Sequence, residues 1–362
     1  MKKSIEEMQT LGEIMRVAHD NLAREHWDYL IGGSETETTL LRNRQSLDEI
    51  AFRPRVLNDV STIDASSTLF GRQSRLPIVL GPIGSAEQLN FEGMLPAAKA
   101  ASEFGISIFK SSVAIPDIEE AAEKSKANLI FQLYVRGDED WINGHIDRIE
   151  AANYAGFCLT VDSAKYGRRE RDKIKNFTPA RRYKLSGINY QSALNWDVVK
   201  RVRKRTKLPL IIKGIATAED ALIALDHGVD VIYISNHGGR QLDHGIGSIE
   251  VVPEVVDVVN RKASIIVDGG FYRGTDILKA IALGADAVGL GRLYAFGLAA
   301  FGQAGVKRIL EILEEEMVKA MALLGVTTLA ELSADHLQPA KPVRVANLTS
   351  AFPLLDINDE PY

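Results

Sequence analysis

The chain has 362 residues, 46% hydrophobic and 25% charged, with 43 Lys plus Arg against 48 Asp plus Glu and a formal net charge of −5. That balance excludes a general nucleic-acid binder, and the apolar fraction is ample for a large core. The single cysteine, Cys158, excludes an internal disulfide, and no CxxC or other metal-ligand spacing exists, so no metal is expected. A reducing compartment fits. With no signal peptide, no apolar run of bilayer length and no C-terminal address in Asp359-Glu360-Pro361-Tyr362, a cytoplasmic protein without a membrane span is expected.

Residues 4–30 read as helical, with Ile5, Met8, Leu11, Ile14, Met15 and Leu22 spaced for one face, and Gly32-Gly33 stops that helix. Residues 52–57 and 68–70 read as short extended pieces. Residues 1–75 are expected to form an N-terminal cap segment rather than a separate domain. From residue 76 apolar, β-branched runs alternate with helical patterns. The strands are predicted at 77–81, 106–110, 129–135, 157–161, 210–213, 231–235, 265–268 and 287–290. The helices are predicted at 93–104, 118–126, 141–155, 196–206, 218–227, 249–260 and 275–283. Strands joined by helices are parallel, and eight such units close a TIM (β/α)8 barrel, here spanning 76–338. A doubly wound open sheet is the weaker α/β alternative, because no GxGxxG follows the first strand. The longest strand-to-helix connection, residues 162–195, reads as an active-site loop after strand four. Basic residues cluster at 165–184 and 200–207 and read as solvated surface. An amphipathic helix is predicted at 302–324, followed by a C-terminal tail, 339–362.

A barrel gathers its reactive groups at the C-terminal ends of the strands. Those ends carry Pro82-Ile83-Gly84, Ser111-Ser112, Gln132 with Tyr134, Thr160 with Asp162, Lys213, His237 with Arg240, Asp268-Gly269-Gly270 and Gly291-Arg292. The densest stretch is Ser235-Asn-His-Gly-Gly-Arg-Gln-Leu-Asp243. His237 titrates near neutral pH, Arg240 can hold a carboxylate through two parallel bonds, and the glycines between them let backbone approach a ligand. The pair suits a substrate with a carboxylate beside the atom that loses a proton. The glycine-rich turns after strands seven and eight fall where barrels bind phosphate, with Arg292 or Arg273 adding charge. Lys213 fits a Schiff-base lysine, a positive charge beside an electron-accepting ring, or a snorkelling strand-end lysine. The residues alone do not choose.

Lys213-Gly214, the 235–243 stretch, Asp268-Gly-Gly…Arg-Gly-Thr-Asp276, Gln132-Leu-Tyr134, Thr160-Val-Asp162 and Gly167-Arg-Arg-Glu-Arg-Asp172 resemble the FMN-dependent L-2-hydroxy acid oxidases and dehydrogenases. That family includes glycolate oxidase, lactate oxidase and mandelate dehydrogenase, and the resemblance runs from about residue 27 to about 333. It implies FMN across the barrel mouth, with His237 as base and Asp162 pairing with the imidazole and raising its pKa. Arg240 and Arg169 would clamp the substrate carboxylate, Tyr134 and Tyr29 would bond to substrate, and Val113 would stand near its side chain. Lys213 would stabilise the reduced flavin, which argues against the Schiff base. Pro82, Ile83 and Gly84 would face the flavin. Ser111, Gln132, Thr160 and Ser235 would lie at its ring, Asp268 at the ribityl chain, and Gly270, Gly291, Arg292 and Arg273 at the phosphate.

The expected reaction is oxidation of an L-2-hydroxy acid to the 2-keto acid. The electron acceptor (oxygen, a quinone or a protein) stays open, and a homotetramer is expected. The alternatives are altered FMN chemistry, as decarboxylation or isomerisation, and a catalytically silent binding barrel. Three departures from the family stand out. Tyr272 replaces a usual Arg. Val113 replaces a frequent large aromatic, which implies a side chain bulkier than that of glycolate. Gly84 stands where many oxidases have Ala, leaving more space near the flavin.

Overall fold

The computed structural model describes residues 4–179, 189–347 and 349–355. Arg181, Arg182 and Lys184 of the basic stretch, and the C-terminal Asp359 to Tyr362, lie outside the described residues.

Eight short strands pair in parallel, each with its neighbours in the chain. They are β1 (Ile78–Leu80), β2 (Ser107–Ser111), β3 (Asn128–Leu133), β4 (Gly156–Thr160), β5 (Leu210–Ile215), β6 (Val231–Ile234), β7 (Ser264–Asp268) and β8 (Ala287–Leu290). β8 pairs back to β1 through Gly289↔Val79 and Leu290↔Leu80, so the ring is closed and the open-sheet alternative falls. Their bounds differ from the predicted ones by no more than about two residues, the error expected where a strand frays into a loop.

Alternation along each strand explains both the core and the mouth. Val79, Phe109, Ile130, Cys158, Ile211, Val231, Tyr233, Ile266 and Ala287 point inward and pack on one another, while Leu80, Ile108, Phe131, Leu159, Ile212, Ile232, Val267 and Leu290 face the helices. Below, Leu69 and Phe70 of the hairpin formed by Ser67–Leu69 and Arg72–Ser74 close the barrel, with the Phe70 ring 6.2 Å from Phe109. Two residues further along each strand, on the same inward parity, the apolar residues give way to Gly81, Ser111, Gln132, Thr160, Lys213, Ser235, Asp268 and Gly289.

The outer helices start where a short polar side chain satisfies an orphan N–H. Asp117 accepts from Ile118 N ahead of the helix Ile118–Ser125, and Asn195 from Val198 N ahead of the helix Trp196–Arg205. Asp138 and Thr217 do the same for the helices Glu139–Ala151 and Ala218–Asp226.

The N-terminal segment departs from the single predicted helix. It breaks into α1 (Leu11–Asn21) and α2 (Arg24–Ile31), because Leu22 and Ala23 are extended, and is followed by an unpredicted α3 (Thr38–Asp48). The last helix, α4 (Arg292–Leu324), begins ten residues before the predicted start and kinks at Phe301-Gly302, where Gly302 has φ +60°. Its first turns, Leu293-Tyr-Ala-Phe-Gly-Leu-Ala-Ala300, are buried almost all round and therefore show no amphipathic period. A further short strand, Leu337–Pro339, pairs with Ile50–Phe52. No described helix is long and apolar enough to cross a membrane.

Candidate active site

The inward-facing polar residues meet in a cavity at the C-terminal end of the barrel, with a space of about 1280 Å³ counting its open mouth. His237 stands in its wall in the left-handed region, φ +59°, a strained conformation for a non-glycine residue, held by its own N–H bonding to Ser235 Oγ at 3.0 Å. Its Nδ1 lies 2.9 Å from Asp162 Oδ1 and its Nε2 3.3 Å from the Tyr134 hydroxyl. Asp162 therefore favours the Nδ1–H tautomer and leaves the Nε2 lone pair towards the cavity.

Burial pushes His237 below the ordinary histidine value, and Asp162 offsets only part of that. The carboxylate does raise the imidazole, as expected, but burial outweighs it, so the net shift is downward. Burial tends to raise Asp162, but His237 and Lys213 outweigh it and hold the carboxylate below its usual range. The pair is thus a neutral imidazole backed by an ionised carboxylate at neutral pH. Burial also drives the Tyr134 phenol upward, with Asp162 adding to the shift, so Tyr134 stays a donor.

Lys213 Nζ donates to Ser235 Oγ at 2.6 Å and pairs with Asp268 Oδ2 at 3.2 Å, and Ser235 donates to Asp268 Oδ1 at 2.7 Å. Burial works against the ammonium, but Asp268 and Asp162 outweigh it, so Lys213 remains a cation.

Two arginines dock the cap over the mouth. Arg240 Nη1 donates to Tyr29 O at 2.7 Å and Gly32 O at 2.9 Å, and Arg292 donates to Leu30 O at 3.0 Å and Gly32 O at 2.8 Å. These are the orphan carbonyls at the C-terminus of α2, where the helix dipole also favours a cation. Among the described residues no acceptor bonds to Arg240 Nε or Nη2. Its guanidinium lies 4.8 Å from the Tyr29 ring centroid, and that of Arg169 lies 5.9 Å from it. Burial, and then the neighbouring charge of Arg169, push Arg240 down to about 9, the electrostatic signature of cations gathered to receive an anion.

The cavity wall also includes the expected Tyr29, Pro82, Ile83, Gly84, Val113, Arg169, Gly270, Gly291 and Arg292. Ser111, Gln132, Thr160 and Ser235 are buried just behind its floor, where Gln132 Nε2 donates to Thr160 Oγ1 at 2.9 Å. Arg273 is not on the wall. Its side chain pairs with Glu316 and reaches Ala351 O, so the expected phosphate contact through that side chain is not met. Tyr272, by contrast, lines the cavity, with its ring 5.4 Å from Phe352 of the C-terminal segment.

The glycines explain themselves differently than expected. A Cβ on Gly239 (φ +75°) would meet Leu40 N at 2.5 Å, and one on Gly270 (φ +83°) would meet the Asn43 backbone at 2.8 Å. They admit α3, not only a ligand. Space beside Gly84 is also not open, since a Cβ there would stand 2.7 Å from Val113 Cγ2. Arg136, Tyr166, Leu89, Gln241 and Pro179 line the cavity too. Arg136 was legible in principle, because it continues the inward parity of Ile130, Gln132 and Tyr134.

The model of the family described as FMN-dependent dehydrogenase matches residues 18–189 and 184–339. The chain is 37% identical over 354 residues to an L-lactate oxidase of Nostoc sp., covering 90% of this chain and 97% of that one. It is 37% identical over 353 residues to a peroxisomal (S)-2-hydroxyacid oxidase of Arabidopsis thaliana, covering 92% and 97%. A solved mandelate oxidase, in complex with (S)-2-phenylpropionate, superposes with a TM-score of 0.86 at 36% identity, covering 93% of this chain and all of that one.

Proposed function

The chain belongs to the FMN-dependent dehydrogenase family and is an FMN-dependent 2-hydroxy acid oxidase or dehydrogenase; from that premise we propose that His237 is the base that takes the substrate's proton, and that the substrate side chain is larger than that of glycolate. The carrying observation is the Asp162–His237–Tyr134 chain, 2.9 and 3.3 Å, ending at the cavity.

The residues fit the cofactor. Gln132 Oε1 is a buried acceptor with no partner among the described residues, and a flavin ring offers donors at its edge. A Cβ on Gly291 would meet nothing within 4 Å, so the α4 N-terminus, which no side chain caps, opens onto cavity space suited to a phosphate. Gly270, Gly291, Arg292 and Tyr272 would hold that phosphate. Asp268, with Lys213 and Ser235, would hold the ribityl chain and ring. FMN, when bound, supplies the two-electron acceptor.

Arg169 and the remaining donors of Arg240 bind the substrate carboxylate, and Tyr134 orients the hydroxyl. His237 Nε2 then accepts the proton as the carbinol becomes a carbonyl, and Asp162 stabilises the resulting imidazolium. Lys213 sets a fixed positive charge at the floor, which favours gain of electrons there. The product is the 2-keto acid. Smaller Val113 in place of a large aromatic supports the larger side chain.

The test is anaerobic addition of a series of (S)-2-hydroxy acids to the purified flavoprotein. The flavin band should bleach, with one 2-keto acid formed per flavin reduced. Bleaching with carbon dioxide as co-product, or isomerised substrate without bleaching, would replace oxidation by the alternative chemistries.

A further inference from the structure

The segment after β4 that carries Arg169 is fastened to the cap by its own residues. Arg168 O accepts from Glu35 N at 2.7 Å. Arg171 grips Glu37 through both oxygens, Nε to Oε1 at 2.7 Å and Nη2 to Oε2 at 2.9 Å, and its Nη1 stands 3.5 Å from Asp28 Oδ1. Asp28 and Glu37 expose only 7% and 16% of their side chains, so these pairs escape most of the screening that makes surface ion pairs weak. Gly32, at the end of α2, leaves room for the arginine stem, since a Cβ there would stand 3.1 Å from Arg171 Cδ. Beyond the short helix Glu170–Ile174, the Phe177 ring packs against Tyr29 and His26, at 5.5 Å from each. The cap side of this contact is a fixed post, because Arg240 and Arg292 already hold the carbonyls at the end of α2.

We propose that Arg171 is a positioning residue: by latching the loop after β4 to Glu37 and Asp28, it sets Arg169 where the substrate carboxylate binds. This rests on the 2-hydroxy acid reading above. Arg169 lines the cavity and Arg171 does not, so the effect of Arg171 passes through the backbone they share. The polar contacts of the Arg169 side chain are long, 3.4 Å to Arg240 O and 4.0 Å to Asp172 Oδ2, so its aim depends on where that backbone is held. Burial tends to raise Glu37, but Arg171 and the Gly33 N–H outweigh it, so the carboxylate end of the latch stays ionised at neutral pH. A bidentate, charge-assisted pair fixes direction as well as distance, which a clamp for a planar carboxylate requires.

The experiment follows anaerobic flavin reduction of the FMN-loaded protein by (S)-lactate and (S)-mandelate, separating the saturating rate from the half-saturating concentration. Arg171→Met should raise the half-saturating concentration about tenfold or more and leave the saturating rate within about threefold, because His237 is untouched. Arg171→Lys keeps the charge but not the two parallel bonds and should fall between. Glu37→Gln breaks the same latch from the cap side and should act in the same direction. In an Arg169→Met background, Arg171→Met should add less than about twofold, since nothing is left to aim. Native half-saturation in Arg171→Met, or losses that multiply in the double variant, overturns the assignment, while reduction of the native flavin by either acid leaves the parent reading standing. Loss of FMN from Arg171→Met and Arg171→Lys alike would make the pair a purely structural tie and also overturns it. If neither acid reduces the native flavin, both readings fall.

Discussion

Two arcs of the barrel mouth are built in contrasting ways. The segments after β6 and β7 are bolted to α3 and to Thr36 just before it. Asn43 and Asn236 exchange amide bonds at 2.9 and 2.7 Å, Arg44 grips Asp276 through both oxygens at 2.6 and 2.8 Å, and the Asp243 carboxylate accepts from Thr36 N, Thr36 Oγ1 and Thr39 N. The loops after β1 to β3 present Ile83, Val113 and Arg136, each half-buried, to the cavity. The contrast has a physical sense. Groups that hold a phosphate and move a proton must sit within a fraction of an ångström of the productive geometry, so their loops are over-determined by buried polar contacts. A pocket that selects a side chain tolerates change in size and charge without disturbing that frame.

Breaking the anchored arc has the largest expected effect. Arg44→Met leaves Asp276 buried without its counter-ion, and side-chain exposures of 6% and 2% for the two partners make that costly, roughly 3–5 kcal/mol. Denaturant unfolding of the flavin-bound protein measures it, and a fluorescence titration should find weaker FMN binding, because Asp276 also accepts from Tyr272 N and Arg273 N in the turn proposed to hold the phosphate.

Asp243 comes next. Burial tends to raise it, but the bonds from Thr36 and Thr39 outweigh this and hold it down to about 2. A folded value below the ordinary carboxylate one stabilises the fold above about pH 4, and that contribution disappears as the pH falls toward 2. Asp243→Asn should therefore lose about 2 kcal/mol at pH 7, with the difference from the native protein vanishing near pH 2 in acid unfolding curves. A pH-independent difference would refute the linkage.

The smallest effect belongs to the second arc. Gly84→Ala meets Val113 and should cost about 1 kcal/mol in stability, with most of that recovered in the Gly84→Ala, Val113→Ala double variant. Additive losses would mean the two residues do not share one space.

The same contrast decides what was readable from sequence. The barrel was legible because apolar, β-branched runs alternate with capped helices, and many of the residues that meet in the cavity were legible because they follow those strands on the inward parity. α3 was not, because its buried residues are mostly polar, Thr39, Asn43, Arg44 and Ser46 beside only Leu40 and Leu47, and a search for apolar periodicity passes over a helix that packs largely through polar contacts. Missing α3 also hid why Gly239 and Gly270 are glycines. Arg273 and Tyr272 misled for a related reason, since adjacent positions on a turn point apart, and only the packing of Phe352 and Glu316 decides which one faces the cavity.

The most direct measurement is rapid anaerobic flavin reduction in His237→Gln, loaded with FMN and saturated with the best substrate. Loss of the base should leave FMN bound and slow reduction by about 10²–10⁴-fold. Reduction within a few-fold of the native rate would contradict the assignment of the proton to His237, and with it the function given to the Asp162–His237 pair.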